Sequence, residues 1–305
     1  MTLEKIGRNK ILGNLACFLA YTVFGINIVT CKDLSSSHLL SPLALFCLRA
    51  IGAGSLFWIL SAFRPKEKVA VADYPKLFAA SFIGFFLVQA SFLMAIPDVT
   101  PMTCSILSAL SPIYTMFVAA LAIKEPITWE KAGGVVLSFC GIVFLIMHSS
   151  TGGNGTQSTS LMGVICMIVN GLSFAIYLGL FKQLIARYSV VTYMKWIFLF
   201  AFLMSAPFAG KELLTFNYHQ LSGIFIIDLA ILIVCATFIS YFLLSFGQKH
   251  VRPTMVSLYS YMQPIIAIAI SIAVGMDTLT FNKILAVTAV FTGVILVSFS
   301  KSRES

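Results

Sequence analysis

Apolar stretches of about 20 residues recur from one end of this chain to the other, and that length is what roughly 30 Å of hydrocarbon requires of one helix. Ten are predicted, over Ile11–Cys31, Pro42–Phe63, Lys76–Ile96, Met102–Ile123, Ala132–Met147, Leu161–Leu184, Val191–Phe208, Gly223–Phe246, Pro253–Val274 and Phe281–Phe299. Each run is apolar on every side. Barrel strands would alternate at period two, so helices are expected, with their backbone polar groups satisfied internally. Across 305 residues 59% are hydrophobic and only 10% charged, more apolar surface than one or two soluble cores can hide. The sequence predicts an all-α integral membrane protein of ten transmembrane helices.

Charge supplies the orientation. With the amino terminus in the cytoplasm, sixteen Lys and Arg fall on the inner side, Lys32, Lys211 and Lys283 fall outside, and Arg49 lies within the second span. That bias places both termini in the cytoplasm. It also accounts for the net charge of +9 without nucleic acid as a partner. Lys5, Arg8 and Lys10 imitate the start of a signal peptide, but the first apolar run is long and lacks a small-residue cleavage pattern, so a retained helix is expected.

Several function classes lack their residues. The seven cysteines are scattered and the four histidines lie near span ends or in loops, without metal-ligand spacing. There is no H-E-x-x-H, no G-x-S-x-G, no Walker-type phosphate loop and no pair of intramembrane carboxylates. An intramembrane lipid-modifying enzyme and an ATP-driven pump are both disfavoured, and neither a cofactor nor a metal is expected.

The chain is written twice. "SALSPIYTMFVAALAIKEPIT", from Ser108 to Thr128, is answered 152 positions later by "SYMQPIIAIAISIAVGMDTLT", from Ser260 to Thr280. In the same register Val99 pairs with Val251, Pro112 with Pro264, Glu125 with Asp277 and Gly141 with Gly293. A weaker match at an offset of 150 joins Gly13 to Gly163 and Phe24 to Phe174, so the copied unit is the whole five-helix half. The expected units are 1–148 and 161–305, joined by a flexible external linker at 149–160 rich in Gly, Ser and Thr. An odd number of spans per half makes the repeat inverted. Such halves surround a central cavity and alternate its access between the two sides.

Candidate site residues follow from that frame. Pro112 and Pro264 sit near mid-span, where a proline frees a carbonyl and permits a hinge. Glu125 and Asp277 close the matching hairpins and can either cap the following helix or take part in proton coupling. Asp228, on the outer part of the eighth span, is either a wetted surface acid or a proton-sensitive switch. Polar groups at mid-depth are costly toward lipid and turn inward. Tyr21, Asn27, Gln89, Ser108, Asn170, Tyr177, Tyr241, Tyr259 and Gln263 are the candidates to line the cavity. Arg49 either clamps neighbouring helices or holds a substrate carboxylate.

The pattern "PIY…KEPITWEKAGG…GIV", from Pro112 to Val143, resembles the fourth-to-fifth helix signature of the EamA family in the drug/metabolite transporter superfamily. Its second copy runs from Pro264 to Ile295, with Asp277 in place of the usual glutamate. The opening segment Val23–Ala50 is similar to the family's, with Phe24-Gly25 (commonly Trp-Gly), Pro42 and Arg49. The resemblance implies ten helices in two inverted five-helix repeats around a central cavity, in a bacterial inner membrane. It also implies export or exchange of small metabolites. A cavity of Tyr, Phe, Asn and Gln suits amino-acid-like, aromatic or amphipathic substrates, with protons as a possible coupling ion. The alternative is a sugar-phosphate or nucleotide-sugar exchanger, which needs more basic residues facing the cavity.

Overall fold

A computed structural model of the chain describes residues 3–36, 39–111, 113–115, 117–118, 129–149, 159–218, 221–251, 259–276 and 278–299. Among them there is no strand. The elements are α1 (Leu3–Ser36), α2 (Pro42–Ala62), α3 (Val71–Asp98), α4 (Pro101–Ser108), α5 (Trp129–Ser149), α6 (Leu161–Leu180), α7 (Val190–Thr215), α8 (Gly223–His250), α9 (Met262–Ala273) and α10 (Phe281–Phe299). Six of these, α1, α2, α3, α6, α7 and α8, are long and apolar enough to cross a bilayer. Stretches of α5, α9 and α10 are shorter apolar helices, and the fourth and ninth predicted spans fall partly outside the described residues. Large apolar side chains point outward along these helices, among them Ile11, Phe139, Leu161 and Ile227. That is the surface a lipid-facing bundle presents.

Among the described residues six helices start on a hydroxyl cap, that of α10 being Thr280, which accepts from Lys283 N at 3.4 Å. Ser41, Thr100, Ser160, Ser189 and Ser222 each accept from the backbone N–H three residues on. Each satisfies one of the donors that a helix start leaves open.

Three boundaries depart from the sequence expectation. First, α1 continues to Ser36, so Lys32 lies inside a helix and is buried rather than placed in an external loop. Its Nζ donates to the carbonyls of Ile96, Pro97 and Val99 at 2.7–2.8 Å, satisfying acceptors that the end of α3 leaves open. Second, α7 runs through Pro207 to Thr215, well past Phe208. Neighbouring helices in a membrane tolerate the one carbonyl that such a proline frees. Third, α6 ends at Leu180, and a short helix, Lys182–Arg187, follows.

The repeat organises the packing. Ser41 bonds Glu212 at one end of α2 and Lys195 bonds Ser61 at the other, with Phe57 stacked on Phe198 between them. The repeat-related helices α2 and α7 are therefore antiparallel. The same holds for α5 and α10, where Gly141 lies against Ala289 and Val290 while Gly293 lies against Gly134 and Ser138. The contacts are also exchanged between halves. Gly13 of α1 packs on Val251 at the end of α8, and Gly163 of α6 packs on Val99 at the end of α3. At two places a residue touches its own counterpart 152 positions away, Gln89 with Tyr241 and Ser138 with Val290. A pseudo-two-fold axis passes between each pair, across the helices.

Both copies carry the same local irregularities. A six-residue π-helix interrupts α3 at Phe82–Leu87 and α8 at Val234–Ile239, again 152 apart. In α3 this segment contains Gly84, and the Tyr177 ring fills the dent beside it; an added Cβ would lie 2.1 Å from the ring. The first copy turns at Ala109–Leu110 just before Pro112. The second turns at Ser260–Tyr261 just before Pro264, so Pro264 sits in the first turn of α9 rather than at mid-helix. Without a proline N–H, the Ser260 carbonyl instead accepts from Gln263 N at 3.2 Å.

Gly84→Ala is expected to destabilise the fold by about 1–3 kcal/mol, the range for overpacking, read as a lower thermal midpoint in detergent. Gly133→Ala, whose added Cβ meets nothing within 4 Å, serves as the control and leaves the midpoint unchanged. A Gly84→Ala midpoint equal to the wild type would contradict the packing described.

Candidate functional site

Where α2, α3 and α8 meet beside the axis, polar groups gather inside a shell of aromatic rings. Gln89 Nε2 donates to the hydroxyl of Tyr241. Arg49 is 1% exposed, and its Nε donates to Thr237 Oγ1 at 2.9 Å. Thr237 in turn donates to the carbonyl of Leu232 at 2.7 Å, and Ser240 to that of Cys235 at 2.8 Å, each five residues back along the π segment of α8. Arg49 thus ties α2 of one half to the π segment of the other. Two polar atoms here are buried without a hydrogen-bond partner among the described residues, Arg49 Nη1 and Gln89 Oε1. One is a charged donor and the other a neutral acceptor. Leaving such atoms unpaired away from water is costly, so each carries hydrogen-bonding capacity that its neighbours do not meet.

The surrounding rings are in mutual contact. Tyr241 packs against Phe24, Phe85 and Phe198 with centroids 5.0–5.9 Å apart, and Phe57 joins Phe198 and Phe238. Tyr177, edge-on to Phe85, accepts a hydrogen bond from the Tyr193 hydroxyl at 3.0 Å. These rings surround the polar groups on several sides at this level.

The predicted site residues divide accordingly. Arg49, Gln89, Tyr241 and Tyr177 come together at the centre. Asn27 is buried nearby on α1 and accepts from the Cys31 thiol at 3.4 Å. Asn170 donates to the Val88 carbonyl at 2.7 Å, tying α6 to α3 next to Gln89. Ser108 bonds the Cys104 carbonyl within its own helix. Tyr21 belongs to a separate apolar cluster with Cys17, Ala20, Leu244 and Val251, against which Tyr259 packs. Gln263 is half-buried at the start of α9, and its backbone carbonyl lies against Gly25. Asp228 is half-buried in the first turns of α8, within electrostatic reach of Asp33 on α1. Pro112, Glu125 and Asp277 lie outside the described residues. Sequence reasoning missed Thr237, Ser240 and Tyr193. Each is a polar residue inside an apolar run, which was the signal available.

A model of the EamA-like transporter family matches residues 11–147 and again 161–299, one match for each half. The chain belongs to the EamA-like transporter family. It is a multi-pass membrane transporter and not an enzyme. Over 299 residues it is 24% identical to the uncharacterized inner membrane transporter YicL of Salmonella typhimurium, covering 96% of this chain and 97% of that one. It is 23% identical over 255 residues to the uncharacterized transporter YcxC of Bacillus subtilis, covering 78% and 75%. An uncharacterized transporter of Archaeoglobus fulgidus is 25% identical over 174 residues, where the chain spans 59% of that relative's length. One crystal structure, 14% identical, superposes on 96% of this chain with a TM-score of 0.63 and shares its fold.

The EamA-like halves are also tied together at the face that carries the start of α1. Glu67, after α2, accepts from the backbone N–H and the hydroxyl of Ser189 at 2.6–3.1 Å. Asp73 is 1% exposed and accepts from Arg187 at 2.6 Å, Tyr188 at 2.7 Å and Lys76 at 3.1 Å. Lys249 donates to the Tyr188 carbonyl. The bonds from Ser189 to Glu67 and from Arg187 and Tyr188 to Asp73 form a polar latch between the halves at one end of the bundle, while Lys76 and Lys249 each brace it from within their own half. At the opposite end Glu212 holds Ser41 and the Asp98 carbonyl accepts from Ser160 N.

Partial burial raises the pKa of the Glu67 carboxyl, but the hydrogen bonds from Ser189 and Thr192 and the charge of Lys249 outweigh it, holding the group below its ordinary value. A depressed carboxylate adds stability that is complete above the unfolded-state pKa, about 4.3, and is lost as pH falls through the folded-state value. Below about pH 4.3 the thermal midpoint of Glu67→Gln is therefore expected to fall less than that of the wild type; parallel curves would show that the latch contributes nothing. At the centre, a double-mutant cycle of Gln89→Leu and Tyr241→Phe is expected to give a coupling of about 0.5–1.5 kcal/mol, and additive effects would contradict their contact.

Proposed function

We propose that this EamA-like transporter is a secondary exporter of small metabolites that carry both a carboxylate and a hydrogen-bond donor on an apolar or aromatic body, as amino-acid-like compounds do. The observation that carries the reading is the unpartnered pair at the centre. Arg49 Nη1 is a charged donor suited to a carboxylate, and Gln89 Oε1 is an acceptor suited to an amine, with aromatic rings on several sides. A phosphorylated sugar or nucleotide would call for several cations. The other buried basic side chain among the described residues, Lys32, is committed to three backbone carbonyls.

Transport would proceed by alternating access, with the units 1–148 and 161–305 exchanging conformations about the pseudo-two-fold axis. With ten helices across the bilayer, that axis lies in the membrane plane, and the latch of Glu67, Asp73, Arg187 and Tyr188 closes the cytoplasmic side. Pro112 and Pro264, each preceded by a helix interruption, are the proposed hinges. Both termini are cytoplasmic on the charge bias, in the inner membrane of a bacterium, and the remaining cavity candidates line the path opened between the halves. Coupling to protons would rest on Glu125, Asp228 or Asp277.

Liposomes containing only this protein, offered labelled amino acids and aromatic metabolites with and without a pH gradient, test the proposal. Saturable flux is expected for at least one zwitterionic compound. Removing a hydrogen bond to a charged group costs about 1.5–3 kcal/mol, so Gln89→Leu is expected to raise the half-saturation concentration about tenfold or more. Flux of phosphorylated substrates alone would overturn the substrate class.

A further inference from the structure

At the latch end of the bundle a groove of about 810 Å³ opens between α1, α8 and the two latch segments. Its walls are apolar. Leu12, Leu15 and Leu19 project from one face of α1, each roughly half exposed, and face Phe242, Leu243 and Phe246 of α8. From Leu12 to Leu19 the wall runs about 10 Å along the helix axis, at 1.5 Å per residue. Its rim is basic, carrying Arg64 and Lys66 on the loop after α2 and Lys249 at the end of α8. The one carboxylate on the rim, Glu67, is already engaged by Ser189. The groove therefore pairs an apolar trough, between the start of α1 and the end of α8, with three cations against one carboxylate, and of these cations Lys249 also bonds the Tyr188 carbonyl.

We propose that this groove binds an anionic membrane lipid, with an acyl chain along the leucines of α1 and the phosphate of the headgroup at Arg64, Lys66 and Lys249. Charge complementarity selects the occupant. A zwitterionic lipid fills the trough equally well but gains less from three cations, whereas basic clusters where a helix enters the membrane attract anionic headgroups. The site is distinct from the buried centre around Arg49. Glu67 and Ser189 line the groove and also form part of the latch, so a bound lipid lies against a contact that holds the halves together at this end.

Native mass spectrometry of the full-length protein, equilibrated in detergent with equal amounts of dioleoyl phosphatidylglycerol and dioleoyl phosphatidylcholine, tests the site without reference to transport. One phosphatidylglycerol is expected to be retained with about tenfold preference. Two variants that keep the wild-type thermal midpoint divide the site: Arg64→Gln with Lys66→Gln removes charge from the rim, and Leu15→Trp fills the trough. Each is expected to abolish the preference, and glycerol phosphate in excess is expected not to compete. Equal retention of the two lipids would overturn the proposal. Preference that survives Leu15→Trp would reduce it to diffuse surface charge, and displacement by glycerol phosphate would make the groove a site for soluble anions instead.

Discussion

The contact between Gln89 and Tyr241 marks where the two copies meet, because these residues occupy equivalent positions in them. A residue can touch its own counterpart only on a symmetry axis, so this bond and the one from Ser138 to Val290 locate the axis from inside the molecule. Everything duplicated is arranged around it: the π segments of α3 and α8, the turns before the two prolines, and the facing glycines of α5 and α10. In the alternating access proposed above, paired devices of this kind would let either half adopt the other's shape without inventing new packing. Yet the residues on the axis differ, an amide against a phenol, so the two proposed arrangements would differ in energy.

Hydrocarbon offers no water to a stranded polar group, and the two cations buried among the described residues show two answers. Lys32 directs its ammonium at three carbonyls left open by the end of α3 and is thereby a structural cap. Arg49 engages Thr237 through Nε and so steadies the π segment of α8, while Nη1 stays unpartnered. Clamp and ligand group are the two roles that the sequence left open for this residue; the clamp uses Nε, and the proposed ligand role would use Nη1.

Much of this was legible beforehand. Span positions follow from apolar length, and the register of 152 that pairs Pro112 with Pro264 also pairs the π segments and the axial residues. Gln89 and Tyr241 stood out as polar groups at mid-depth. What was hidden depends on contacts between distant segments. Lys32 counts as an external charge until α1 is seen to continue past it. The π segment in α3 is tied to the fit of Tyr177 against Gly84, residues 93 positions apart. Thr237 and Ser240 matter because their hydroxyls reach carbonyls five residues back, which no linear spacing rule for an α-helix anticipates. The basic groove joins residues from four separate stretches of chain.

The central claim, that the two ends of the bundle open in alternation about the axis, is tested most directly by double electron–electron resonance on the protein in nanodiscs. One spin-label pair, at Lys68 and Gln183, reports on the latch end, and another, at Asp98 and Leu214, on the opposite end, each in a background without native cysteines. Alternation predicts two distance populations for each pair, with conditions that lengthen one pair shortening the other. Distances that lengthen together at both ends, or a single unchanging population at each, would contradict it.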